Sequence, residues 1–258
     1  MSWALRRQLI YFGGLVLFVG IVFFFATYSA FHQAPTCMDG KQNGDELAVD
    51  CGGACSRLCM SQVSEPIILW SRAFPVTGSD YNLFAYVENQ NKNGAVYNIP
   101  YEFRVYDTDN KLIGRRQGST FIPANQRFGV FEARFDAGTS IPKSVTFSFT
   151  GPFVWYKKAP TIQTLPIRVD KITFGSDPAS PTLTAQISND SIYDLPEFDV
   201  MTVLYDSNHN AINVSKTHKD GLKSNETAPI LFTWPNAFSD TVITKDILPQ
   251  INPFLTSF

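Results

Sequence analysis

"EFRVYDTDNKLI" (Glu102–Ile113) and "MTVLYDSNHNAI" (Met201–Ile212) carry one pattern twice, 99 residues apart. In the first, Phe103 and Val105 alternate with Glu102 and Arg104, the period of a half-buried strand. In both, the apolar run ends in Tyr-Asp. A cluster of Asp and Asn follows, Asp107–Asn110 and Asp206–Asn210. Such clusters open hairpin turns, because Asp and Asn hydrogen-bond their own backbone and tolerate the left-handed conformation. The likeness extends both ways. "NLFAYVENQN" (82–91) matches "TLTAQISNDS" (182–191) at an offset of 100, and "FIPANQRFGVFEARF" (121–135) matches "GLKSNETAPILFTWP" (221–235) at the same offset. A unit of about 100 residues has the size of a seven-stranded sandwich.

The chain from about Glu65 is therefore expected to be mainly β, rich in Val, Ile, Thr, Phe and Tyr and broken by turn residues at short intervals. Residues 63–157 form the first sandwich and 165–258 the second. Residues 158–164 form a stiff linker between Pro152 and Pro166. In "FGVFEARF", Phe128, Val130 and the pair Phe131/Phe135 continue the apolar rows. The last stretch supplies a final strand and a short apolar tail.

Ahead of the β region, Leu9–Ala30 reads "LIYFGGLVLFVGIVFFFATYSA" with no charged residue. A helix of that length reaches about 33 Å, enough to cross a hydrocarbon core of about 30 Å. Arg6 and Arg7 precede the span, and no Lys or Arg follows before Lys41. The positive-inside rule then places residues 1–8 in the cytoplasm, 9–30 in the bilayer and the rest outside. A cleaved signal peptide is the competing reading. The long apolar run and the bulky residues at Tyr28 and His32 favour an uncleaved signal anchor.

Between helix and sandwiches lies the stalk, residues 31–62. It holds all four cysteines, Cys37, Cys51, Cys55 and Cys59, in 23 residues. On the oxidising side of a membrane such thiols pair, so two disulfides are expected, with three connectivities open. The same stretch holds Asp39, Asn43, Asp45 and Asp50, oxygen side chains suited to calcium. Asp39, Asn43, Gly44 and Asp50 fall at positions 1, 5, 6 and 12 of a calcium loop. Lys41 at position 3 and Asp instead of Glu at position 12 weaken that match, and turn capping by the same carboxylates is the alternative.

Two resemblances follow from these residues. Cys37, Asp39, Gly40, Asn43, Gly44, Asp45, Glu46, Val49, Asp50, Cys51, Gly52, Gly53 and Cys55 resemble a small cysteine-rich motif of extracellular proteins. "F-R-V-Y-D" (Phe103–Asp107) and "T-V-L-Y-D" (Thr202–Asp206), with Asn89 and Asn189 upstream, resemble the bacterial FxLYD domains, an immunoglobulin-like family. Val105 and Thr202 depart from the pattern. The resemblance implies two tandem immunoglobulin-like β-sandwiches with adhesive or structural roles, and no catalysis.

Other classes find little support. Charged residues are 17% of the chain and net charge is −2, with no basic stripe for nucleic acid. No nucleophile elbow, phosphate loop, dinucleotide fingerprint or zinc-protease helix occurs. His32 sits at the membrane edge, and His209 and His218 read as loop residues. No small-molecule substrate is suggested. The expected protein is a non-enzymatic, single-pass cell-envelope protein, touching the bilayer through residues 9–30 and other envelope or surface proteins through its sandwiches. The alternatives are an accessory subunit of a larger membrane or secretion complex, and a calcium-dependent adhesin-like receptor. An exposed patch holding Trp155 and Tyr156 would favour the subunit.

Overall fold

The computed structural model describes residues 3–31, 36–158 and 167–255. The chain divides into two units, Met1–Cys55 and Ser56–Phe258. In the first unit, helix α1 runs from Trp3 to Phe31. It starts six residues before the uncharged run, since Ala4, Leu5, Arg6, Arg7 and Gln8 are all good helix formers. Arg7 lies over the Trp3 ring, 4.5 Å from its centroid. Trp3–Tyr28 is long and apolar enough to cross a membrane, a property that anchors share with signal sequences. Residues 36–55 are built of turns.

The second unit begins with six strands and a short seventh: β1 (Ile67–Thr77), β2 (Asp80–Asn89), β3 (Gly94–Tyr106), β4 (Leu112–Ile122), β5 (Gln126–Asp136), β6 (Ser144–Phe149) and β7 (Trp155–Lys157). Six more follow: β8 (Ile167–Phe174), β9 (Thr182–Asn189), β10 (Phe198–Tyr205), β11 (Ala211–Lys219), β12 (Thr227–Thr233) and β13 (Thr244–Gln250). All pairings are antiparallel. Sheet β1-β2-β5 faces sheet β4-β3-β6, to which β7 adds beside β3. Sheet β8-β9-β12 faces sheet β11-β10-β13. These are two immunoglobulin-like sandwiches with the same strand order. Of the expected linker, residues 159–164 lie outside the described residues.

Each sandwich buries the alternating face of its strands. Leu83, Ala85 and Val87 of β2 meet Phe103 and Val105 of β3 in one core. Leu183, Ala185 and Ile187 of β9 meet Val200 and Leu204 of β10 in the other. A third cluster joins the sandwiches. Phe84 and Tyr86, on the far face of β2, pack against Met201 and Val203, on the far face of β10, and Val214 of β11. β2 and β10 are thus covered on both faces, which explains why Leu83–Val87 and Val200–Leu204 are almost continuously apolar. The four sheets stack in the order β4-β3-β6, β1-β2-β5, β11-β10-β13, β8-β9-β12.

The expected pairing of Phe131 with Phe135 is broken by a bulge. Tyr81 faces Phe135 but Leu83 faces Glu132, so β5 carries one extra residue. Arg134, at φ 52°, lies within that bulge. Phe135 therefore returns to the first core, while Phe131 packs at the junction. Glu102, expected on a solvent face, is only 3% exposed. It is covered by Arg104 and accepts a hydrogen bond from Gln117 Nε2 at 2.8 Å.

The two Tyr-Asp turns are built alike. Asp107 Oδ1 accepts hydrogen bonds from Asp109 N (3.0 Å) and Lys111 N (2.9 Å). Asp206 Oδ1 accepts from Asn208 N and Asn210 N, both at 2.8 Å. Asn110 and His209 hold the left-handed position at φ 59° and 60°. Asn89 and Asn189, both buried, tie the other end of each sandwich. Asn89 Nδ2 donates to Gly94 O (2.8 Å) and Pro123 O (2.7 Å). Asn189 Nδ2 reaches Tyr193 O (2.7 Å), Leu222 O (3.1 Å) and Lys223 O (3.0 Å).

Candidate functional site

Where the sandwiches meet, a cleft of about 370 Å³ opens between the β4 and β5 side of the first and the face of β10 and β11 in the second. Its charged groups belong to the second sandwich. Antiparallel pairing sets Asp199 of β10 opposite His218 of β11. His218 Nδ1 and Asp199 Oδ1 are 2.9 Å apart. The other carboxylate oxygen of Asp199 accepts from Lys216 Nζ at 3.0 Å. His218 Nε2 lies 3.6 Å from Asp220 Oδ1 and 4.0 Å from Glu197 Oε2. The hydrogen bond to Asp199 raises the His218 pKa above its ordinary value, aided by the charges of Asp199, Asp220 and Glu197. Protonated, the ring is a cation held among three carboxylates. A nucleophile-activating base would instead present Nε2 to a hydroxyl or thiol.

Around the cleft the sandwiches are tied by polar bonds. Gln250 Nε2 donates to Gly129 O at 2.7 Å in a buried position. Tyr86 and Tyr205, from opposite sandwiches, donate to the same oxygen of Asp246 at 3.1 and 2.9 Å. Burial, followed by the Asp246 charge, pushes both phenols above the ordinary tyrosine range. They stay neutral donors at any ordinary pH.

Of the charged groups of the cleft, His218 alone was singled out from sequence, and that residue is on strand β11 instead of in a loop. The reason is the register: "SKTHK" alternates outward-facing side chains along an edge strand, which reads as polar loop when the partner strand is unknown. His209 does lie in a turn, and His32 lies outside the described residues. Trp155 is 1% exposed and belongs to the first core, so it forms no exposed patch with Tyr156.

In the stalk all four cysteines are disulfide-bonded and none is free. Cys37 and Cys55 are joined, with Cα atoms 5.6 Å apart. Asp39 Oδ1 accepts from Lys41 N (2.9 Å) and Oδ2 from Asn43 Nδ2 (2.8 Å). Both Asp50 oxygens accept from Gly40 N at 3.1 Å. Asp45 is exposed, and its backbone oxygen abuts Gly53, where an added Cβ would lie 1.5 Å away. Asn43 Oδ1 is buried without a hydrogen-bond partner. Asp39 Oδ1 and both Asp50 oxygens thus accept from backbone N–H groups, as turn caps do. Glu46 Oε1 approaches Cys55 Sγ at 3.3 Å beside Cys37. Sulfurs committed to a disulfide do not offer the thiolate that a zinc ion needs.

No family model and no curated protein matches the chain. Among solved structures, red sea bream transglutaminase aligns over 73% of this chain and 31% of its own, with 13% identity and a TM-score of 0.24. A likeness at that score carries neither fold nor activity to this protein.

Proposed function

We propose that the chain is a non-enzymatic, membrane-anchored envelope protein. α1 holds it in the bilayer with the N-terminus in the cytoplasm. A disulfide-stapled stalk carries a rigid pair of sandwiches outside, where other surface proteins bind them. We read the sandwiches as two copies of one FxLYD-type module, a reading supported by the matched turns and matched asparagines.

The observation that carries the proposal is the third hydrophobic cluster. Phe84 and Val203 are fully buried between the sandwiches, which makes one stiff block of two modules. Stiffness suits presentation of surfaces at a fixed separation. The exposed apolar run Ile67–Leu69 on edge strand β1 supports a protein partner. External protease on intact cells should remove the mass beyond residue 31, and gentle solubilisation with crosslinking should recover surface proteins bound to the block. Protection of the sandwiches until the membrane is opened would reverse the orientation. A purified chain with no crosslinked partner in its native membrane would defeat the binding role.

A further inference from the structure

The strand β13 ends at Gln250, paired with Asp199 in the second sandwich. Ile251 follows, fully buried in the second core. Three residues later the chain has crossed to the first sandwich. The Phe254 ring meets Tyr97 of β3 edge-on, with centroids 5.2 Å apart, and Tyr156 of β7 at 5.7 Å. Lys158 Nζ lies 5.2 Å from the centroid of the Phe254 ring. A turn sets this placement: Asn252 Oδ1 accepts from Phe254 N at 3.0 Å, and Asn252 O accepts from Leu255 N at 3.2 Å. Asn252 and Leu255 line the cleft between the sandwiches.

We propose that Tyr97, Tyr156 and Lys158 form an aromatic slot on the first sandwich, and that residues 251–255 are a strap seated in it that closes one side of the cleft. The chemistry of the slot is defined by its occupant. Two ring edges and an ammonium group select a flat aromatic side chain, each contact adding to simple burial. Ile251 holds one end of the strap in the second core, Pro253 is buried along it, and the Phe254 ring holds the other end in the slot.

Tyr156 is also where the stalk is fastened. Arg57 forms a β-bridge to it, Lys157 N donates to Ser56 O at 2.7 Å, and Leu58 N donates to Trp155 O at 2.9 Å. Asn91 clamps Ser64 with two bonds, 2.8 Å to its N–H and 2.7 Å to its carbonyl. The point at which the chain enters the first sandwich and the point at which its C-terminal segment returns therefore share one short strand. An aromatic residue from another molecule that displaced Phe254 would release the strap beside the short strand that holds residues 56–58.

Hydrogen exchange by mass spectrometry on the full chain in detergent micelles tests this. Phe254→Ala should raise exchange in peptides covering 119–121 and 129–131 by about tenfold. Peptides covering the distant turns 107–111 and 206–210 should not change. Tyr97→Ala, which removes an exposed side chain and spares the second core, should give the same local pattern. The double variant should exchange no faster than either single one. Unchanged exchange at 119–121 and 129–131 in both variants, or an even rise across both sandwiches, would overturn the strap.

Discussion

At the level of single residues, the buried amides of Asn89 and Asn189 do most to fix the ends of the sandwiches. Each satisfies backbone carbonyls of two separate connections. Replacing Asn189 by Ala removes three hydrogen bonds to carbonyls that each keep one other donor, Ser191 Oγ, Leu195 N or Glu226 N, at about 0.5–1.5 kcal/mol for each bond lost. Asn189→Ala should therefore destabilise the second sandwich by about 3 kcal/mol in a denaturant titration, and Asn89→Ala the first by a similar amount. A loss under about 0.5 kcal/mol would mean that water replaces the amide. His218 makes a prediction of opposite character, because it is half exposed and titrates. Its folded pKa is raised by Asp199, so the stability it adds is complete below its unfolded value of 6.5 and is lost as pH rises through the higher folded value. Proton-detected titration should show its midpoint above that of a free histidine. His218→Gln should flatten the fall in stability across this window, and a midpoint at or below the ordinary value would refute the carboxylate cage.

Among the elements, β2, β5 and β10 show what the sequence discloses and what it withholds. Phe103 and Val105 alternate with polar residues, and β3 was legible for that reason. The turns at Asp107 and Asp206 were legible because Asp, Asn and the left-handed position go together. β2 and β10 betray a second buried face only through unbroken apolar runs, and such a run does not say what covers it. The bulge in β5 left no mark in "FGVFEARF", since Arg134 is an ordinary strand residue until the partner register is known. The Asp199–His218 pair was hidden for the same reason: a cross-strand pair exists only once two strands are aligned. The anionic turn residues of the stalk were visible, and two of them, Asp39 and Asp50, bond the loop's own backbone. Gly129 tests the element-level packing. A Cβ there would stand 2.5 Å from the Phe84 ring and 2.8 Å from Met201 Sδ. Strand propensity alone would favour Gly129→Ala, but overpacking at the junction should make it destabilising by about 1–3 kcal/mol. A variant as stable as the parent would show that the sandwiches can shift apart without cost.

For the whole molecule the question is which parts unfold together. The stalk and the sandwiches are stabilised by different means. Cys37–Cys55 spans 18 residues, and closing such a loop restricts the unfolded chain by about 3 kcal/mol. Reduction should accordingly loosen residues 37–55, while residues 56–64 keep their bonds to β7 and Asn91. The sandwiches have separate cores, which by themselves predict separate transitions. The third cluster argues otherwise: Phe84, Val203 and Val214 are fully buried only while both sandwiches are folded. Unfolding one sandwich exposes the far face of the other, and apolar area costs about 25 cal/mol for each Å² returned to water. The two should therefore melt in one calorimetric transition in the full chain. Val203→Asp places an unpaired carboxylate in that junction, on the face of β10 away from its own core, so both cores remain intact while their coupling is lost. Two resolved transitions are expected for this variant. A single transition in Val203→Asp, or two in the parent chain, would show that the junction does not bind the sandwiches into one cooperative block.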